Sequence, residues 1–232
     1  MNYLKNAVSR YRFIRRSNSA LVEPIIDKTK VDPLSLKDPF KINDICSVHD
    51  LYTARCHFGH KSNLRNPFMG DYLFGCRQKI DIFDLEITRK HLLLALNVIA
   101  HIAHRNGIIL FFSTDKMIIP LIERTAKECG EFSFCREWTG SPFLNSKYFY
   151  KENVRLPDLV IAFNTLNPLS GQHEIIKESS KVLIPTVGIV DSNCDPRLIT
   201  YPIPGNDDSI ASIQLYSSLI KEAILRGKNF SI

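Results

Sequence analysis

The chain has no apolar run long enough to cross a bilayer as a helix, which takes about 20 consecutive apolar residues. It has no Gly-x-Gly-x-x-Gly after a strand-like run, no Gly-x4-Gly-Lys-Ser/Thr loop and no Gly-x-Ser-x-Gly elbow. The common backbone cradles for a dinucleotide, a nucleoside triphosphate or an acyl-enzyme are therefore missing. Its six cysteines, Cys46, Cys56, Cys76, Cys129, Cys135 and Cys194, form no Cys-x-x-Cys pair and follow no secretory apolar core. Free thiols in a reducing compartment are expected. Acidic residues are missing from Met1 to Val22, where Lys5, Arg10, Arg12, Arg15 and Arg16 are basic. As a helix this leader puts Leu4, Val8, Tyr11 and Ile14 on one face and Lys5, Ser9, Arg12 and Arg16 on another. That composition is expected of a mitochondrial transit peptide, with a basic RNA-binding tail as the alternative.

What is present fits one large α/β domain. The 232 residues are 44% hydrophobic, enough for a sizeable core, and the formal charge of +6 modestly favours polyanionic partners. Pro24, Pro33 and Pro39 punctuate a segment from Glu23 to Phe40 expected to lack regular structure. Strand-like and helix-like stretches then alternate. Asn43 or Asp44 caps a short helix through Ala54, Ile80 to Leu85 reads as a strand, and Glu86 to Arg105 as a helix. Ile108 to Phe112 is a strand and Lys116 to Cys129 a helix with Pro120 in its first turn or at a kink. Phe132 to Cys135 and Leu159 to Phe163 are strands, and Gly171 to Ser180 is a helix leading into a strand at Val187. Pro202, Pro204 and Gly205 form a rigid turn. Asn206 to Ser209 cap a helix with Ile210, Ile213, Ile220 and Ile224 at helical spacing, and Gly227 is its stop. This alternation predicts a parallel sheet with helices on both faces.

Two segments near the carboxyl end are long and low in degeneracy: Ile184-Pro-Thr-Val-Gly-Ile-Val-Asp-Ser-Asn-Cys-Asp-Pro196 and Tyr201-Pro-Ile-Pro-Gly-Asn-Asp-Asp-Ser209. They resemble the C-terminal signature of the universal small-subunit ribosomal protein S2 family, in its mitochondrial form. A second block is similar in order and spacing: His57-Phe-Gly-His60, Asn66-Pro67, Met69, Tyr72-Leu-Phe-Gly75, Arg77 and Ile80-Asp-Ile-Phe-Asp-Leu-Glu-Ile-Thr88. Leu156-Pro-Asp-Leu-Val160 resembles the family's central strand entry, so the likeness covers roughly residues 44 to 228. It implies a flavodoxin-like, Rossmann-like core. Family members usually insert a long helical hairpin before the Leu-Pro-Asp strand. Here about ten residues separate Asn145 from Arg155, too few for two packed helices, so that insertion is expected to be absent or reduced. The organisation expected is a transit peptide over 1–22, a linker or extended arm over 23–42, one domain over 43–228 and a tail over 229–232.

The resemblance implies a structural constituent of the mitochondrial small ribosomal subunit in the matrix. It implies contact with small-subunit ribosomal RNA and neighbouring ribosomal proteins, and no enzyme activity, cofactor, membrane or small-molecule substrate. Between His57 and Lys79, Lys61, Arg65, Arg77 and Lys79 are interleaved with Phe58, Phe68, Tyr72 and Phe74, a mixture suited to phosphate contact and stacking. These four cations are the expected RNA contacts, although Arg65 stands where the family often has tryptophan and Phe68 where it often has lysine. A core role for the aromatics with solvated cations is the plain alternative. No metal is expected: His57 and His60 beside Cys56 lack evident third and fourth ligands, and His101 and His104 share a helical face with Lys90 and Asn97 that reads as solvated or RNA-facing. The Trp138–Asn145 loop either faces RNA or a neighbouring protein, or is pinned by one buried indole. The competing functional class is a small-molecule α/β enzyme or binding protein using the Asp191–Asp195 turn, beyond a strand's carboxyl end. Against it, those side chains are expected to bond their own backbone.

Overall fold

The computed structural model describes residues 33–150, 154–167 and 171–230; the leader expected at 1–22 lies outside them. Helix α1 (Val48–Thr53) is capped by Ser47, whose hydroxyl accepts from the Asp50 amide while the Asp50 carboxylate accepts from the Ser47 amide. The cap is thus Ser47, not Asn43 or Asp44, because only Ser47 has an acidic residue three positions on. Strands β1 (Phe58–Lys61), β2 (Leu73–Arg77) and β3 (Ile80–Phe83) form a small antiparallel sheet in the order β1-β3-β2. Helix α2 (Leu85–His104) starts at Asp84, whose carboxylate accepts from the Glu86 amide at 2.9 Å.

Then come β4 (Ile109–Phe112), α3 (Ile119–Cys129, with Pro120 in its first turn), β5 (Phe132–Phe134) and α4 (Ser146–Tyr150). They are followed by β6 (Leu159–Ala162), the short pair β7 (Leu166–Asn167) and β8 (Gly171–Gln172), and α5 (Glu174–Val182). The chain closes with β9 (Thr186–Val190), β10 (Tyr201–Pro204) and α6 (Ile210–Lys228). The main sheet is parallel throughout, ordered β10-β9-β6-β4-β5. On one face Phe111, Ile161, Val187 and Ile203 pack against α2, α3 and α6; on the other, Phe112, Val160 and Val190 pack with Ile175 and Ile176 of α5. This is the expected flavodoxin-like α/β architecture. Every residue of β6 and β9 is buried, which explains their unbroken apolar runs. Each large aliphatic side chain so removed from water contributes about 1.5–3 kcal/mol.

Between Asn145 and Arg155 the described residues hold only α4, five residues long, in place of a hairpin. Three sequence expectations fail in the carboxyl-terminal third. Gly171 and Gln172, expected to open a helix, lie in β8, and α5 starts at Glu174. Pro202 and Pro204 are not in a turn but in the edge strand β10, opposite Gly188 and Val190. On an edge strand alternate N–H groups point away from the sheet, where proline's missing donor does no harm. The next amide, of Gly205, donates to the Val190 carbonyl at 3.0 Å. Gly227 does not stop α6: it lies inside the helix, and a Cβ there would stand 2.4 Å from the Ala100 carbonyl oxygen of α2. It is glycine because two helices cross there.

Three described residues of the expected arm and tail are packed on the domain. Phe40 and Ile42 are buried among α2 and α6, and Phe230 lies edge-on to Phe40 at 5.0 Å. All six cysteines are free thiols. Among the described residues no helix is long and apolar enough to cross a membrane.

Candidate nucleic-acid interface

The cations singled out in the sequence lie on the small sheet. β2 and β3 are joined by Gln78 and Lys79, both in the left-handed region at φ 53° and 64°, with Arg77 facing Ile80 across the hairpin. Lys61, at the end of β1, pairs with the same Ile80, and the Ser62 amide donates to the Lys79 carbonyl at 2.9 Å. The fold therefore gathers Lys61, Arg77 and Lys79 at one exposed end of the sheet. Among the described residues none of the three has an ion-pair partner.

Arg65 is placed differently. Its guanidinium forms a two-point pair with the Asp81 carboxylate, Nε to Oδ2 at 2.8 Å and Nη2 to Oδ1. Asp81 is fully buried in β3, so Arg65 answers an interior charge, and the carboxylate in turn raises the arginine's pKa. The aromatics divide as well. Phe74 is 80% exposed, and Phe58 and Tyr52 also reach solvent; Tyr52 stacks on His57 at 4.8 Å between ring centres. With Arg77 and Ile82 they line an open groove of about 730 Å³. Phe68 instead lies under the Arg197 guanidinium at 3.7 Å, and Arg197 pairs with Asp195 at 2.7 Å.

A second cluster joins three distant parts of the chain. His60 of β1 places Nδ1 3.1 Å from Asp191 and Nε2 3.3 Å from Asp208. One ligand atom each from His60, Asp191, Asp207 and Asp208 falls within 4.8 Å of the others. The Ser192 hydroxyl accepts from the His60 amide at 2.9 Å and holds the imidazole in register. A hydrogen bond to Asp191 raises the His60 pKa to about 9, while burial, with the charges of Asp191 and Asp208, pushes that of Asp207 well up. Protonated His60 can bridge the carboxylates; a neutral imidazole with the same carboxylates suits a divalent cation. Sequence reasoning set His60 aside for want of further ligands. They come from the Asp191 and Asp207-Asp208 turns, remote in sequence, and the only signal was that both motifs share short acidic turns.

Other singled-out residues are partly or wholly buried. Trp138 is buried against Phe134 at 5.0 Å and Phe143 at 4.7 Å, so one indole anchors its loop. His101 and His104 are half-buried rather than fully solvated and pack on Phe40 at 4.9 and 6.0 Å. Asp195 caps its own turn, accepting from the Arg197 amide at 3.0 Å, and Asp191 is buried and engaged by His60 rather than facing an open cleft.

Fold and surface together define a flavodoxin-like scaffold whose small sheet presents cations and aromatics at one end. A family model described as Ribosomal protein S2 matches residues 51–154 and 145–227, two stretches that meet where the hairpin is reduced. The chain belongs to that family. It is 47% identical over 197 residues to "Small ribosomal subunit protein uS2m" of Bos taurus, covering 85% of this chain and 67% of that protein. "Small ribosomal subunit protein uS2" of Rickettsia canadensis is 32% identical over 225 residues, 78% of this chain and 75% of the relative. The protein of the same description from a Nitratiruptor species is 31% identical over 226 residues, 78% and 83% of the two chains.

Proposed function

We propose that the protein is a structural constituent of the mitochondrial small ribosomal subunit, holding small-subunit ribosomal RNA and neighbouring ribosomal proteins in place for mitochondrial translation. The observation that carries this reading is the 47% identity, over 85% of the chain, to a mammalian protein named as uS2m. The mechanism is scaffolding, and no reaction is catalysed. The parallel sheet and its helices give a rigid body, and Lys61, Arg77 and Lys79 reach from the end of the small sheet to RNA phosphates. Each phosphate neutralised releases condensed counterions, so the attachment weakens as salt rises. Arg65 contributes from behind, by holding β3 through Asp81, rather than as a free phosphate ligand. In this reading residues 1–22 direct the chain to the matrix and are removed.

Gradient sedimentation of lysed mitochondria tests the proposal. The protein is expected to migrate with assembled small subunits. Protein found wholly near the top of the gradient, with small subunits elsewhere, refutes it.

A further inference from the structure

We propose that residues Asp38–Cys46 form a strap that completes the folded domain, so that removal of the basic leader is confined to peptide bonds before Asp38. The bound on cleavage rests on the transit reading above; the strap does not. Upstream, Leu34 and Leu36 are 61% and 45% exposed, whereas Phe40 and Ile42 are 3% and 0% exposed. The change from exposed to packed chain therefore falls at Lys37–Asp38.

The strap is tied down at both ends. The Asp38 carboxylate accepts from the amides of Ile42 and Asn43 at 2.9 and 3.2 Å and from the Asn43 side chain at 2.7 Å. Lys41 takes a left-handed φ of 53°, which turns Phe40 inward onto His101, His104 and Phe230. From the last turn of α6, Arg226 donates to the carbonyls of Lys41 and Phe40 at 2.6 and 3.4 Å. From α2, Arg89 donates to those of Asn43 and Cys46 at 3.2 and 3.0 Å. Both arginines therefore bond strap backbone. Leader removal is hydrolysis: water adds hydroxyl to the departing acyl carbon and a proton to the new amine. A cut beyond Phe40 takes an aromatic ring from the core, and one beyond Lys41 also leaves Arg226 without its two strap carbonyls.

Terminal-peptide mass spectrometry of the protein isolated from mitochondria tests the bound. A first residue at or before Asp38 is expected, and one beyond it overturns the inference. An intact Met1 refutes the leader reading instead, and the strap is then judged by melting the full chain. Phe40→Ala is expected to lower Tm by more than about 5 °C relative to Leu34→Ala, and equal melting overturns the strap. Should Phe40→Ala fail to fold, Asp38→Asn serves: faster hydrogen exchange at the Ile42 and Asn43 amides supports it, and unchanged exchange contradicts it.

Discussion

Phe111 and Phe112 of the parallel sheet are wholly buried, while Phe74 of the small antiparallel sheet is 80% exposed. The same contrast separates the central strand β9 from β2. Strand β9 hides every residue from Thr186 to Val190, whereas β2 leaves Phe74, Cys76 and Arg77 in solvent. An aromatic in β4 is explained by the core around it. An exposed aromatic beside unpaired cations is not, and that surface is the candidate interface. One sheet holds the molecule together; the other, braced on it, carries the surface proposed to meet RNA.

Substitutions can break or sharpen that division. The largest effect is expected where the covering helices cross. Gly227→Ala puts a methyl against the Ala100 carbonyl and should cost about 3 kcal/mol in chemical denaturation; a neutral result would contradict the α2–α6 packing. Next comes the brace between the sheets' roles. Arg65→Ala leaves the Asp81 carboxylate buried and unpaired, a change worth about 3–5 kcal/mol for a fully buried pair. Arg65 is partly exposed, so about 1–2 kcal/mol is expected. Replacing Asp81 as well should recover part of that loss in a double-mutant cycle.

A smaller, pH-dependent effect is expected at His60. Its folded pKa, about 9, lies above the ordinary 6.5, so the folded state holds the extra proton between those values. The stabilisation is complete below about pH 6.5 and is lost as pH rises through 9. Burial raises the Asp207 pKa too, which acts in the same direction. Melting temperature should therefore fall across that window, and His60→Gln should flatten the fall. An unchanged slope would show that the His60–Asp191 contact does not hold the proton.

The parallel sheet was legible in the sequence because its strands are continuous apolar runs between capped helices. The positions that were misread carry meanings only tertiary contact supplies. Gly227 has the spacing of a stop yet serves a helix crossing, and Pro202 and Pro204 look like a turn because their tolerance depends on lying at the sheet's edge. Phe40 and Ile42 sit in a proline-punctuated stretch without periodicity, so nothing local betrays their burial. In the candidate interface, residue type picked out the segment but could not sort its arginines. Arg65 and Arg77 look alike until Asp81 is seen inside the fold beside one of them. The acidic cluster was hidden for a similar reason, its members lying on separate strand ends joined only in space.

The double substitution Arg77→Glu/Lys79→Glu, read for melting and for incorporation into small subunits on the same gradient, tests the division of labour most directly. Both side chains are exposed at the hairpin end, so melting should stay within about 2 °C of the parent. Incorporation should fall several-fold. Normal melting together with normal incorporation would contradict the claim that this end of the small sheet holds RNA.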